Sequence, residues 1–330
     1  NLKKGGSEIV RLENLSLEAK VISQQNSKYK VQKATRRSVN EIIKPEIREK
    51  ASEIVNAFNE LELRFRAGYA VTFRLFNEGL AYRFSTSLKE DLIIERENLD
   101  IMLTANDSAR FQSSEGFNSP YETPYEFKSL ADIEKGKLCN LPFLVEKVKG
   151  SFLMITEADL YNYPGLWLRG SGKAQLTVAN PPYPESFTTK GNAYVQGQVA
   201  GTFNFIAKVD FMNRDDQIMV EYYERIARTA AEKKMVVDFH GAYKPCGLRR
   251  KYPNVLTREA LIEFEYNGWT DQANPKHHNL LPYIRMFAGP MDYIPATMRN
   301  STKENFQPIG DYPMGQGTRA HSMALFVILN

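Results

Sequence analysis

Between residues 204 and 266, one carboxylate closes an apolar run and several more follow two further runs of strand length. Asp210 lies in Phe205-Ile-Ala-Lys-Val-Asp210-Phe-Met212. Glu259 comes after Asn254-Val-Leu-Thr257, in Leu256-Thr-Arg-Glu259, and Glu263 and Glu265 flank Phe264 just beyond it. Acids at the mouths of neighbouring strands are the pairing that glycosidic bond cleavage needs, one as nucleophile or base and one as a proton donor. A carboxylic acid whose pKa is raised can protonate a leaving oxygen, and aromatic side chains such as Tyr266 and Trp269 can hold a sugar ring. Structural readings compete at each position. Asp210 could cap a helix, Asp215 and Asp216 read as acids of a first helical turn, and Glu263 and Glu265 could lie on a solvated helix face. His240 follows Val236-Val-Asp-Phe239 and also falls at a strand end. His277 and His278 lie in a polar loop with no companion at zinc-ligand spacing and read as surface or substrate-loop residues.

These residues need elements to position them, and the chain changes its pattern near residue 203. Before that point apolar residues alternate with period two, as in Leu61-Glu-Leu-Arg-Phe65 and Val71-Thr-Phe-Arg-Leu75. Asn77-Glu-Gly79 then turns the chain into Leu80-Ala-Tyr-Arg-Phe84, which predicts a β-hairpin in an antiparallel sheet. Further strands are expected at 143–148, 152–156 and 175–179, and this half reads as an all-β sandwich. Beyond it, a buried strand at 205–211 leads into a helix at 214–234, with Ile218, Tyr222, Ile226 and Ala230 on one side and Asn213 or Asp215 as its cap. Strands at 235–240 and 254–257 follow, then a helix at 282–289 and a short strand at 291–294. Strand, helix, strand in that order implies parallel pairing through a right-handed crossover. The expected division is a β-sandwich over residues 1–196 and a partial catalytic barrel over 197–330.

Composition narrows the classes of partner. The 330 residues carry 43 basic and 39 acidic side chains, a formal charge of +4 spread along the chain rather than gathered in a block, which argues against nucleic acid. No apolar stretch reaches the roughly 18 residues of a membrane span. Cys139 and Cys246 show no metal or redox spacing and read as free thiols. A closed eight-stranded α/β barrel takes roughly 250 residues, more than follow residue 203, and residues 191–202 join the β-rich half directly to a mid-barrel strand. The intact protein is therefore expected to carry barrel segments that these 330 residues lack, which its intact mass would show.

Taken together, Lys208-Val-Asp-Phe-Met212, Asp238-Phe-His-Gly-Ala-Tyr-Lys-Pro245, Gly247 to Glu259, Glu265-Tyr-Asn267 and Ala288-Gly-Pro-Met-Asp-Tyr293 resemble the catalytic barrel of glycoside hydrolase family 97. Phe76 to Phe84 and Ile155 to Gly165 resemble its N-terminal β-super-sandwich. The resemblance implies a β-super-sandwich followed by a (β/α)8 TIM-type barrel, incomplete here, and a calcium-dependent exo-α-glycosidase. It aligns Asp210 with the nucleophile of the retaining, α-galactosidase-like branch and Glu265 with the general acid/base. Gly241 stands where inverting members carry a Glu base. Glu259 and Glu265, with Glu157 from the sandwich, are the implied calcium ligands. His240, Lys208 and Trp269 are the expected substrate contacts. The implied partner is an oligosaccharide or α-galactoside, the expected compartment the periplasm, and the expected state a monomer or small homo-oligomer. The alternatives are an inverting α-glucosidase, a non-catalytic carbohydrate-binding protein, and an unrelated aldolase-type barrel using Lys208 for a Schiff base.

Overall fold

The computed structural model describes residues 1–330 apart from 20–29, 49, 90, 149, 185–193, 198–205, 295, 296 and 330. The chain divides into two compact units, Asn1–Ile101 and Met102–Asn330.

In the first unit the alternating pattern forms an antiparallel four-stranded sheet, in the order Val31–Ile43, Ile54–Phe65, Tyr69–Leu75, Leu80–Thr86. The expected hairpin is present: Leu75 pairs with Leu80, and the Phe76 N–H donates to the Gly79 carbonyl at 2.8 Å. The period of two puts Tyr69, Val71 and Phe73 on one face, where they pack with Leu15, Ala19 and Phe84. Leu15 and Ala19 come from Ser7–Ala19, which pairs with Leu2–Lys4.

In the second unit, Glu126–Ser129, Ser108–Phe111, Phe143–Glu146 and Phe152–Ile155 form one antiparallel sheet, and Gln175–Ala179, Trp167–Gly170, Leu138–Cys139 and Ser113–Ser114 lie side by side in another. The strands expected near 143, 152 and 175 are all there. Downstream, Ile206–Asp210, Val236–Phe239 and Val255–Arg258 pair in parallel, and Arg258 makes a further parallel bridge to Met291. Tyr194–Gly197 runs antiparallel to Ile206–Asp210; the rest of the join at 191–202 lies outside the described residues. The observed parallel sheet is thus a mixed α/β segment with three strands and one bridge among the described residues. Tyr121, Leu138, Leu160 and Trp167 share one core with Val209, Tyr223, Val237 and Phe239. That shared core keeps residues on both sides of 196/197 within the compact unit Met102–Asn330.

The crossover helix runs Gln217–Glu232, shorter than expected, and its cap is Asp216, whose side chain accepts the Met219 N–H at 3.3 Å. Its buried stripe is Met219, Val220, Tyr223, Ala227 and Ala230, rotated from the expected Ile218, Tyr222 and Ile226. The reason is Tyr223, whose ring meets Phe239 and Tyr243 with centroids 4.7 Å away in each case, under the Arg258 guanidinium. Burying such a ring contributes about 2 kcal/mol, and the small Ala227 lets the helix approach the sheet. The expected helix at 282–289 is only a 3-10 turn, Arg285–Phe287, because the buried Arg285 guanidinium takes the carbonyls of Arg258, Glu259, Gly289 and Pro290. These contacts hold the 285–290 loop against the end of the Val255–Arg258 strand.

Asp215 is not a solvated first-turn acid. It is fully buried, accepting the Tyr121 hydroxyl at 2.6 Å and the Trp167 indole N–H at 3.0 Å. Burial raises its pKa from 3.8 to about 7, against the pull of the Tyr121 hydrogen bond and the Lys244 ammonium. The folded protein thus holds this proton more tightly than the unfolded chain does, so stability falls as pH rises from 3.8 to 7. An asparagine in its place is neutral at every pH and still accepts both donors. Relative to the parent, the Asp215→Asn protein is therefore expected to gain up to roughly 4 kcal/mol between pH 4 and pH 8. Melting temperatures of both proteins across that range check this; a pH-independent difference contradicts it.

Candidate active site

Parallel strands open their carboxyl ends onto one face, and the candidate residues lie there. Asp210 is the last residue of Ile206–Asp210, His240 follows Val236–Phe239, Glu259 follows Val255–Arg258 and Asp292 follows the Met291 bridge. Backbone bonds continue the register past the strand ends: the His240 N–H donates to the Val209 carbonyl at 2.8 Å, and the Glu259 N–H to the Phe239 carbonyl at 2.9 Å.

Asp210 accepts the Phe211 N–H on Oδ1 at 2.6 Å, and the Lys208 ammonium lies 3.8 Å from Oδ2. Oδ1 is thereby fixed and Oδ2 is left beside a cation. Phe211 and Asn213 both have positive φ, 58° and 47°, a conformation that non-glycine residues enter only where the surroundings impose it. The Asn213 N–H donates to the Gly241 carbonyl at 2.6 Å, so the loops after the first two parallel strands hold each other.

His240 is buried among three carboxylates. Nε2 meets Asp292 and, at 3.1 Å, Asp238, while Nδ1 lies 3.3 Å from Glu259. Burial disfavours the imidazolium, but the hydrogen bonds to Asp238, Asp292 and Glu259 prevail and push its pKa up to about 12. Both ring nitrogens are engaged with protein groups. Glu259 is held below the usual carboxylate range although burial works the other way, because His240 and the Gly241 N–H, at 2.7 Å, favour its charged form.

Glu122 also faces this cluster, and nothing in the spacing of the sequence pointed to it. Its carboxyl shares a hydrogen bond with Glu259, and the Tyr266 hydroxyl donates to it at 2.5 Å. Burial and then the charge of Glu259 push its pKa to about 9. Glu265 opens to solvent on the 3-10 turn Phe264–Gly268, where partial burial and the Glu259 charge raise its pKa. Trp269 is exposed just beyond, its ring centroid 5.0 Å from that of Tyr266.

Oxygens of Glu259, Glu263 and Glu265 lie within 4.8 Å of one another. Calcium binds oxygen ligands at about 2.3–2.6 Å, so one such ion can reach all three carboxylates. The donors are all oxygen, and burial followed by repulsion from Glu259 raises the pKa of Glu122, Glu263 and Glu265. The residues fit a hard divalent cation. Two other groups, Asp210 with His240 and Glu259, and Asp238 with His240 and Asp292, also bring ligand atoms together, but His240 is committed to the carboxylates in both.

Glu157 stands apart from these groups. Its carboxylate takes the buried Lys244 ammonium at 2.5 Å and the Leu166 N–H at 2.9 Å, so the acid that the β-rich region brings to Glu259 is Glu122. A buried lysine needs a counter-charge, and Glu157 meets that need. His277 and His278 are buried as well. The short helix Pro275–His278 turns them inward, where His277 Nε2 meets the Ile262 carbonyl at 2.8 Å and His278 Nδ1 lies 3.2 Å from His321 Nε2. Burial lowers their pKa values to about 4 and about 3. Cys139 and Cys246 are free and buried.

Residues 1–227 match the family model described as glycosyl-hydrolase 97 N-terminal. A retaining alpha-galactosidase of Bacteroides thetaiotaomicron is 25% identical over 464 residues, covering 91% of this chain and 70% of the relative. That alignment is longer than the 330-residue chain, so stretches of the relative have no counterpart here. A probable retaining alpha-galactosidase of Streptomyces bingchenggensis is 31% identical over 99 residues, 30% of this chain and 15% of the relative. Among solved structures, a glycoside hydrolase family 97 enzyme of Pseudoalteromonas sp. strain K8 in complex with panose superposes with a TM-score of 0.67 at 17% identity, over 86% of this chain and 69% of that one. A beta-arabinopyranosidase superposes with a TM-score of 0.68 at 15% identity, over 91% of this chain and 72% of that one. At these identities the two structures share the fold.

Proposed function

Because the chain belongs to glycoside hydrolase family 97 and is on that ground a glycosidase, we propose that it cleaves terminal α-galactosides with retention, using Asp210 and Glu265. The parallel strand that carries Asp210 and the turn that carries Glu265 are, on this reading, part of a (β/α)8 barrel. In the first displacement Asp210 Oδ2 bonds to the anomeric carbon as the glycosidic C–O bond breaks, and the Glu265 proton passes to the departing oxygen. In the second, Glu265, now a carboxylate, takes a proton from water whose oxygen bonds to the anomeric carbon. Asp210 then leaves as a carboxylate.

The surrounding residues support these roles. The Phe211 N–H holds Oδ1 and so aims Oδ2. Lys208 keeps positive charge beside the carboxylate that must attack and later depart. Burial and the Glu259 charge favour a protonated Glu265, as a general acid requires. Trp269 and Tyr266 offer aromatic surface next to the acid. Glu259 and Glu265 would hold a calcium ion, which when bound supplies positive charge for sugar hydroxyls and offsets repulsion among the carboxylates.

The observation that carries retention is at position 241. Gly241 has φ +48°, and a Cβ there would come 2.9 Å from Asn213 Oδ1 and 3.0 and 3.1 Å from the Phe211 N and Cα. A base built on that position would have to displace backbone that also orients Asp210. The test is proton NMR of p-nitrophenyl α-galactoside hydrolysis in calcium buffer, read before mutarotation. We expect α-galactose first. β-Galactose first overturns retention; cleavage of the α-glucoside alone overturns the sugar assignment and leaves the stereochemistry to be read from that product.

A further inference from the structure

Glu263 sits between the two acids the resemblance assigns to the cation, yet neither the resemblance nor the reaction gives it a task. Its side chain is fully buried. Oε2 accepts the Ile294 N–H at 2.9 Å, and Oε1 has no hydrogen-bond partner among the described residues. Buried carboxyl oxygens are rarely left unmatched, so an unmatched one marks a place where something else binds. Carboxylates outnumber cations around it. An oxygen of Glu263 lies within 4.8 Å of oxygens of both Glu259 and Glu265, a spacing that a single ion with bonds of about 2.3–2.6 Å can bridge. The positive groups nearby have other partners: His240 is held by Asp238, Asp292 and Glu259, Lys208 lies beside Asp210, Arg258 packs over Tyr223 and Tyr243, Arg285 takes backbone carbonyls, and Lys244 is paired with Glu157.

The local chain explains how three acids from seven residues reach one point. Ala260 has φ +53°, which doubles the chain back directly after Glu259, and the 3-10 turn Phe264–Gly268 then carries Glu265 round. Glu263 caps the entry to that turn with extended backbone, φ −107° and ψ −173°.

We propose that Glu263 is a direct ligand of the divalent cation, adding a carboxylate to Glu259 and Glu265. The inference rests on the hard-cation reading of this site and gives Glu263 a ligand role that the resemblance does not assign to it. Ile294 fixes one oxygen of Glu263 and so aims the other, making it a rigid ligand rather than a surface acid drawn in by the ion. One consequence is that the site keeps two ligands, Glu259 and Glu263, whose position is independent of Glu265. Glu265 can then give up its proton and recover it while the ion stays in place.

The probe is Tb3+, whose luminescence lifetimes in H2O and D2O count the waters bound directly to the ion. For Glu263→Gln we expect at least a tenfold weaker affinity and about one additional bound water. If Tb3+ binds the parent and variant with equal affinity and the same water count, Glu263 is not a ligand, and the cation reading survives without it. If Tb3+ does not bind the parent protein at all, the cation reading falls and this inference falls with it. Should Glu263→Gln fail to fold, Glu263→Asp keeps the charge but withdraws the carboxylate by one methylene. It is expected to show the same gain of a bound water, and an unchanged count overturns the proposal.

Discussion

Replacing Asp210 with Asn is expected to lower kcat for an aryl α-galactoside on the order of 10⁴-fold, the scale seen when a nucleophile that acts with its partners as a unit is removed. Asparagine keeps the hydrogen bond from Phe211 and the shape of the site, so the loss comes from the missing bond to the anomeric carbon. A second variant separates that chemistry from misplacement. In Asp210→Gly the face occupied by the carboxylate is open, and azide can attack the anomeric carbon while Glu265 still protonates the leaving group. β-Galactosyl azide should form, with turnover recovering about 10- to 100-fold above the variant alone. Kinetics with and without azide, and NMR of the product, check both parts. Retention of most activity in Asp210→Asn would show that another group is the nucleophile.

For Glu265→Gln the effect should depend on the leaving group. A sugar leaving group needs a proton as the bond breaks, so kcat/KM for such an α-galactoside should fall on the order of 10³- to 10⁴-fold. A dinitrophenyl leaving group departs unaided, and kcat/KM for that substrate should change little. Its kcat and KM should fall together, because the second displacement has lost its base and the glycosyl-enzyme accumulates. The pH profile gives an independent readout. Glu265 acts when protonated, and burial and Glu259 raise its pKa. Activity on the sugar-leaving substrate should therefore decline on the alkaline side as Glu265 loses its proton, and Glu265→Gln should lack this limb. Equal losses with both leaving groups would assign Glu265 to positioning rather than proton transfer.

Much of the fold that carries these residues was legible in local pattern. The alternation around 61–84 forms a hairpin because one face must be buried, and a shift of one residue would reverse every side chain. The runs at 205–211, 235–240 and 254–257 are short and apolar, and they became neighbouring parallel strands. Asp210, His240 and Glu259 could be placed at strand ends for the same reason, since the end of a strand is a property of a few consecutive residues. Helix phase was harder. Ile218, Tyr222 and Ile226 have the more apolar periodicity, but the packing of Tyr223 against Phe239 and Tyr243 turned the helix to bury the next row.

What by itself the sequence determined is the kind of chemistry and the elements that present it: a β-rich first part, and parallel strands with acids at their carboxyl ends. Tertiary structure alone decided which distant groups meet those acids. Glu122 joins Glu259 and Glu157 joins Lys244, although the two glutamates come from similar β-rich surroundings. Asp215, His277 and His278 are buried although their local sequence is polar. The physical reason is range. Backbone pairing and side-chain period act over a few residues, whereas the partner of a buried charge is chosen by which loops converge, a property of the packed core shared by Trp167, Val209 and Phe239.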